Sequence, residues 1–181
     1  MAQEFRGVIM SEKTYEEMTP IYELTYNPIH FLHSGRITEH AFVGNCYVEA
    51  FEKALAEEHY GKIFVWVGDY ADAKFYQDIY RHSKKSMKPI RHTIAHESAD
   101  RSRWKYVVNF DKKECVRIPE KTDTPQYHPL PLLCASGNGR GYSDYKGTNM
   151  DYVGKWAYDR IGIDFEIPEG FTEIEVTFTE E

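Results

Sequence analysis

Residues 61–72 read GKIFVWVGDYAD, and this stretch does most to decide the fold. Its first part, residues 62–67, is an apolar run rich in β-branched and aromatic side chains, which predicts a buried strand. The run ends abruptly in the polar sequence GDYAD at residues 68–72. Polar residues often form sites at such positions, because the core holds the end of a buried strand rigidly. The stretch therefore predicts a buried strand and one edge of a candidate site.

The clearest helix pattern comes directly before this strand, over residues 45–59. Asn45 is a favourable N-cap residue, and Gly61 is expected to end the helix. Apolar residues recur at helical spacing on one face, while Glu and Lys cover the other face. The apolar set is Tyr47, Val48, Phe51, Ala54 and Leu55.

Shorter elements flank this helix and strand. Residues 4–10 (EFRGVIM) predict a strand, and Thr14 with Glu17 forms the capping-box pattern of a short helix. Residues 21–26 predict a further strand, and a second helix is expected from residue 74 to about residue 82.

Strand-like runs dominate the second half of the chain. Residues 104–110 and 114–118 are joined by a tight polar connection, which predicts a hairpin. Residues 130–135 predict another buried strand. Residues 160–167 and 171–179 predict a C-terminal hairpin at a sheet edge, where exposed Glu residues discourage further pairing.

Helices and strands alternate without a regular βαβ rhythm, which predicts an α+β fold. The length of 181 residues suits a single domain, residues 1–181, with a mixed or mainly antiparallel sheet and two or three helices. No apolar run approaches the roughly 20 residues that span a bilayer, and the N-terminus has no signal-peptide pattern. Three widely spaced cysteines favour neither disulfides nor a thiolate zinc site, so a reducing cytoplasm is the expected compartment.

Charge is unevenly distributed along the chain. The net charge is -7, yet residues 81–105 carry eight Lys and Arg against two acidic residues, a balance of +6, which leaves -13 for the remainder. The acidic remainder argues against general nucleic-acid binding. The basic segment suits either an acidic partner or phosphate, or is simply a solvated helix end and loop.

The segment HPLPLLCASGNGRGYSDYKG, residues 128–147, places Arg140 among glycines directly after the predicted strand. It contains neither a Walker A sequence nor a full GxGxxG fingerprint. Backbone amides beside a guanidinium suit a phosphate or carboxylate ligand. The alternative is a turn in which Arg140 pairs with Asp144 or another acid.

Asp69 and Asp72 in GDYAD suit acid–base chemistry or a hard cation, or else an Asx-turn and the N-cap of the next helix. The two histidine pairs, His30 with His33 and His92 with His96, lack an HExxH pattern and a third ligand, so we predict no metal site and no cofactor. His40 is expected to be a packed or capping side chain, with general-base use as the alternative. The candidate ligand-binding residues are Trp66, Asp69, Tyr70, Asn138, Arg140, Tyr142 and Asp144.

Four blocks, WVGDYAD, VVNFDKKECV, HPLPLLCASGNGRGYSDYKG and VGKWAYDRIGI, together resemble a family of uncharacterised proteins from bacteria and their tailed phages. The resemblance runs from the second half of the 45–59 helix to Ile163. The family's hairpin reads more like NHTKK and its loop more like GNGRGGGDY, so Tyr142 and Ser143 stand here where the family has glycines. The resemblance implies a bacterial cytoplasm, infected or not, and brings no activity or catalytic residue.

We therefore expect a small soluble cytoplasmic binding protein with a polar site between GDYAD and GNGRG. Its expected partner is a small anionic ligand or a host protein, and a phage origin would imply interference with a host process. One alternative is a hydrolase or transferase on a phosphate-bearing substrate, with Asp69 as base and Arg140 as charge stabiliser. The other is a structural or virion-associated protein. We predict no membrane association.

Overall fold

The computed structural model describes residues 3–10, 35–71, 79–80, 104–137 and 144–180. Within them lie seven strands and three α-helices, which form an α+β domain with a mixed, mostly antiparallel sheet. The strands are β1 (Phe5–Met10), β2 (Lys62–Gly68), β3 (Tyr106–Asn109), β4 (Glu114–Arg117), β5 (Ala135–Ser136), β6 (Arg160–Asp164) and β7 (Thr172–Glu173). The helices are α1 (Ile37–His40), α2 (Cys46–Ala56) and α3 (Pro129–Leu133).

The strand β2 is buried, as its apolar sequence predicts, and it pairs with the three strands β1, β5 and β6. The sheet order is β1-β2-β6-β3-β4-β7, and β5 pairs with the far end of β2. One edge of β2 binds β1 antiparallel along its whole length, and the other edge binds β6 at its start and β5 near its end. Alternate β2 side chains enter two different clusters, Phe64 and Trp66 on one face and Val65 and Val67 on the other, so both faces are buried.

The helix α2 covers one face of this sheet. It begins where predicted, because the Asn45 side chain accepts a hydrogen bond from the backbone N–H of Tyr47 at 2.9 Å. Phe51 packs against Phe64 and Trp66, with ring centroids 5.4 and 5.2 Å away. The helix ends at Ala56, three residues before the predicted end.

Most of the buried strand predicted at residues 130–135 is instead the helix α3, which ends at Leu133, and only Ala135 lies in a strand, β5. Pro129 stands in the first turn, where proline needs no hydrogen bond, and His128 is the N-cap. The Nδ1 atom of His128 accepts a hydrogen bond from the backbone N–H of Leu130 at 3.0 Å. Periodicity could not reveal this helix, because α3 is buried on every side and only five residues long.

The predicted C-terminal hairpin is also wrong. The strand β6 lies inside the sheet, antiparallel to both β2 and β3, whereas β7 pairs parallel with β4. The alternation of the final run is nevertheless present, since Val176 and Phe178 are buried and their neighbours exposed. The β3–β4 hairpin is confirmed, with Asn109 opposite Glu114 beside the turn.

Several predictions fall outside the described residues. These are the helix at Thr14 and Glu17, the strand at residues 21–26, Asp72, almost all of the helix expected near residues 74–82, and the four paired histidines His30, His33, His92 and His96.

Candidate functional site

The strands β2 and β5 end side by side, because they pair in parallel with Trp66 opposite Ala135 and Val67 opposite Ser136. The residues that follow each strand therefore leave the sheet at the same place, which we call the sheet end (residues 68–71 and 136–137, with residues 3–6 of the β1 start). In open sheets, ligands bind outside the carboxyl ends of parallel strands. The sheet end is consequently the part of the described fold best placed to hold a site of the predicted kind.

Asp69 connects the two strands β1 and β2 at the sheet end. Its backbone N–H donates to the carbonyl oxygen of Glu4 at 2.9 Å, and its Oδ1 accepts a hydrogen bond from the backbone N–H of Glu4 at 3.0 Å. Burial raises the pKa of Asp69 and the nearby Glu4 carboxylate adds to the rise, while the hydrogen bond from Glu4 and the charge of Arg6 oppose it. Asp69 is thus a structural cap whose carboxyl group is partly desolvated.

Arg6 is a buried cation at the same end of the sheet, and its side chain is only 2% exposed. Its guanidinium lies 3.7 Å from the centre of the Tyr80 ring, and the Tyr80 hydroxyl donates to the Glu4 carboxylate at 3.3 Å. Burial lowers the pKa of Arg6, while Tyr80, Glu4 and Asp69 act in the opposite direction. Sequence reasoning missed Arg6, although a lone charge inside the otherwise apolar run FRGVIM was the available signal.

Asp144 comes directly after the sequence GNGRGYS, residues 137–143, and contacts the helix α1. Its Oδ2 accepts hydrogen bonds from the backbone N–H and the hydroxyl of Thr38, at 3.3 and 3.1 Å. Thr38 lies in the first turn of α1, so Asp144 holds the start of that helix. The segment that carries Arg140 therefore follows β5 directly and ends at a residue fixed on α1.

Trp66 lies in the core and offers no surface to a ligand, since it is 1% exposed. Its Nε1–H donates to the Nε2 atom of His40 at 2.8 Å, and the two rings stack. The Nε2 atom must be unprotonated to accept this hydrogen bond, so it is not available as a general base. His40 is therefore a packed side chain, as expected. Tyr70 is 39% exposed beside Asp69, and the candidates Asn138, Arg140 and Tyr142 lie outside the described residues.

A second buried polar pair, also missed from the sequence, joins α2 to the start of α3. The Nε2 atom of His128 lies 2.6 Å from the Oε1 atom of Glu52, and both side chains are at most 1% exposed. The Nδ1 atom of His128 accepts a hydrogen bond from Leu130, which leaves the proton of a neutral ring on Nε2. The Nε2–H bond of His128 does not point toward the Oε1 atom of Glu52. The pair is enclosed and holds the α3 N-cap in place.

The cysteines offer no activated nucleophile in the described core. Burial raises the pKa of Cys115 to about 11 and that of Cys134 well above the ordinary thiol value. The thiolate is the reactive form, so both buried thiols are inert at neutral pH.

No helix within the described ranges is long and apolar enough to cross a membrane. The same residues contain no group of three His, Cys, Asp or Glu side chains that could hold a metal ion. Comparisons of the chain with protein-family models, curated proteins and solved structures gave no match.

Proposed function

We propose that the protein is a small binding protein that takes an anionic ligand, a phosphate or a carboxylate, at the sheet end. The observation that carries the proposal is the parallel register of β2 and β5. It brings Gly68 and Asp69 to the same edge of the sheet as Ser136 and Gly137, where the sequence GNGRG begins.

An anionic ligand needs a cation, and the one described cation at the sheet end, Arg6, already has partners. Arg6 already faces the Tyr80 ring and lies near the carboxylates of Glu4 and Asp69. An incoming anion therefore requires a further positive charge, and Arg140 is the residue that the glycine loop supplies. The glycines on both sides of Arg140 would allow backbone amides to approach the same anion.

The test is a thermal-shift screen of the full chain with inorganic phosphate, nucleoside monophosphates and small dicarboxylates at constant ionic strength. A ligand at 100 times its Kd should stabilise the folded state by about 2.7 kcal/mol. We expect Arg140→Ala to abolish the shift, because it removes the proposed anion contact.

The matched control is Lys146→Ala, which removes an exposed cation just beyond the loop. It should retain the shift of the wild type. If no anion shifts the wild type, or if Arg140→Ala and Lys146→Ala respond alike, the proposal is wrong.

A hydrolase or transferase acting on a phosphate-bearing substrate is the second candidate, because burial raises the pKa of Asp69 toward the range of a general base. Asp69→Asn keeps the hydrogen-bond acceptor for Glu4 but removes the base. We expect it to abolish release of phosphate from a nucleotide while leaving the thermal shift intact. If the wild type binds the nucleotide but releases no phosphate from it, the enzyme hypothesis is wrong and only the binding protein remains.

We further propose a cytoplasmic location. The three cysteines, Cys46, Cys115 and Cys134, are all free thiols, as in a reducing compartment. The resemblance to bacterial and tailed-phage proteins supports a bacterial cell as that compartment.

A further inference from the structure

A groove opens where the C-terminal segment leaves the sheet. The segment follows β4 until the backbone N–H of Ile174 donates to the carbonyl oxygen of Cys115 at 2.9 Å. Beyond that bond the two backbones separate, and a groove of about 1080 Å³ lies between residues 117–127 and residues 173–180. The groove lies beside β4 and β7, at the edge of the sheet opposite to β1, and does not involve the sheet end.

One backbone edge of this segment is open toward the groove. The carbonyl oxygens of Thr177 and Thr179 accept hydrogen bonds from Thr148 and its neighbour Asn149, on the side away from β4. Burial alternates along the segment, as in an extended chain, so Val176 and Phe178 direct their backbone groups to the opposite edge. Their N–H and C=O groups have no hydrogen-bond partner within the described part of the chain.

The groove has an apolar floor. Phe42 and Tyr127 stack there with ring centroids 4.6 Å apart, and both line the groove. The buried side chains of Val176 and Phe178 complete the floor. A side chain that enters the groove would therefore meet aromatic and aliphatic carbon.

The rim of the groove is acidic. The described residues that line it include Glu173, Glu175 and Glu180 and one cation, Arg117. Arg117 pairs with Glu173 at 3.3 Å, and Glu180 accepts a hydrogen bond from the Tyr127 hydroxyl. Glu175 lies between them, is exposed, and has no ion-pair partner among the residues described here.

We propose that this groove binds an extended segment of a partner protein, which adds to the open edge at Val176 and Phe178 as a further strand. Strand addition supplies backbone hydrogen bonds, and alternate side chains supply specificity. Inward side chains of the partner contact Phe42 and Tyr127. Outward Lys or Arg side chains lie opposite Glu175, since opposite charges on neighbouring strands attract.

Charge disfavours pairing of this edge with the same edge of a second copy of the chain. Each copy carries a net charge of -7, and pairing of two equivalent edges would bring two acidic rims together. Like charges opposite each other on neighbouring strands are destabilising. A basic extended segment meets the same rim with attraction.

The test is selection of a random octapeptide library against the immobilised full chain, followed by fluorescence anisotropy with the selected peptides. We expect enrichment of peptides in which apolar residues alternate with Lys or Arg. Glu175→Lys should weaken their binding about five- to tenfold, because it replaces attraction with repulsion. Methylation of alternate peptide nitrogens should abolish binding in one register and spare it in the other.

The control variant is Glu166→Lys, which reverses an exposed charge outside the groove and should bind as the wild type does. Absence of enrichment, enrichment without basic residues, or equal binding by Glu175→Lys would overturn the proposal. A dimer in light scattering that Glu175→Lys dissociates would assign the groove to a second copy and overturn it as well.

Discussion

The sheet end and the rim of the C-terminal groove both carry polar groups, but they differ in how their hydrogen-bonding groups are used. At the sheet end, Asp69 caps Glu4 and Arg6 covers the Tyr80 ring. In the groove, backbone groups of Val176 and Phe178 have no partner among the described residues, and Glu175 has no ion pair there. A polar residue at a strand end is therefore not by itself a binding group, because its capacity can be consumed by the fold.

The largest test of this comparison is Trp66→Ala at the base of the sheet end. Trp66 packs on Phe51 and Phe64 and donates to His40, so its loss leaves a cavity and an unpaired nitrogen. We expect a loss of about 3–5 kcal/mol in the free energy of unfolding, measured by urea denaturation. Tyr70→Ala, at an exposed neighbour, should change it by less than about 0.5 kcal/mol. Equal losses of unfolding free energy in the two variants would contradict the distinction between the buried Trp66 and the exposed Tyr70.

The capping role of Asp69 gives an intermediate effect. Asp69→Ala removes the acceptor for the Glu4 N–H, and we expect a loss of about 1 kcal/mol in the same measurement. Asp69→Asn keeps an oxygen at that position and should restore most of the stability. If Asp69→Ala did not change the free energy of unfolding, the fold would not use this carboxylate, and Asp69 would be free to bind a ligand. The sheet end would then not differ from the groove in this respect.

The raised pKa of Asp69 predicts a pH dependence. The folded state binds this proton more tightly than the unfolded state, so the ionised group opposes folding at neutral pH. This penalty disappears as pH falls through the raised folded pKa toward the ordinary value of about 3.9. We expect the stability of the wild type relative to Asp69→Asn to increase between about pH 7 and about pH 4, measured by urea denaturation at each pH. A constant or falling difference would contradict the assignment.

The smallest expected effect is on the groove rim. Glu175→Lys should change the free energy of unfolding by less than about 0.5 kcal/mol, because the exposed carboxylate holds no ion pair among the described residues. Urea denaturation of this variant checks it. A substantial loss of stability would mean that Glu175 makes a stabilising contact within the fold, as Asp69 does at the sheet end.

The sequence identified two carboxylates as site candidates, but not the partners that they bond in the fold. Asp69 and Asp144 were both singled out, yet Asp69 bonds to a residue 65 positions away and Asp144 to one 106 positions away. Such partners leave no local pattern. Arg6 and the Glu52–His128 pair were missed for the same reason, since each looks ordinary within its own segment. The groove was missed because it depends on where two backbones separate.

By itself, the sequence determined the elements whose pattern is local and long enough to be unambiguous. These are the β2 strand, the α2 helix with its Asn45 cap, the β3–β4 hairpin and the α+β class. Only the tertiary structure decided that His128 begins a helix, that β6 lies between β2 and β3, and that β5 runs parallel to β2. The physical reason is that periodicity records which side chains are buried, whereas strand order and the identity of a short buried element depend on contacts between distant segments.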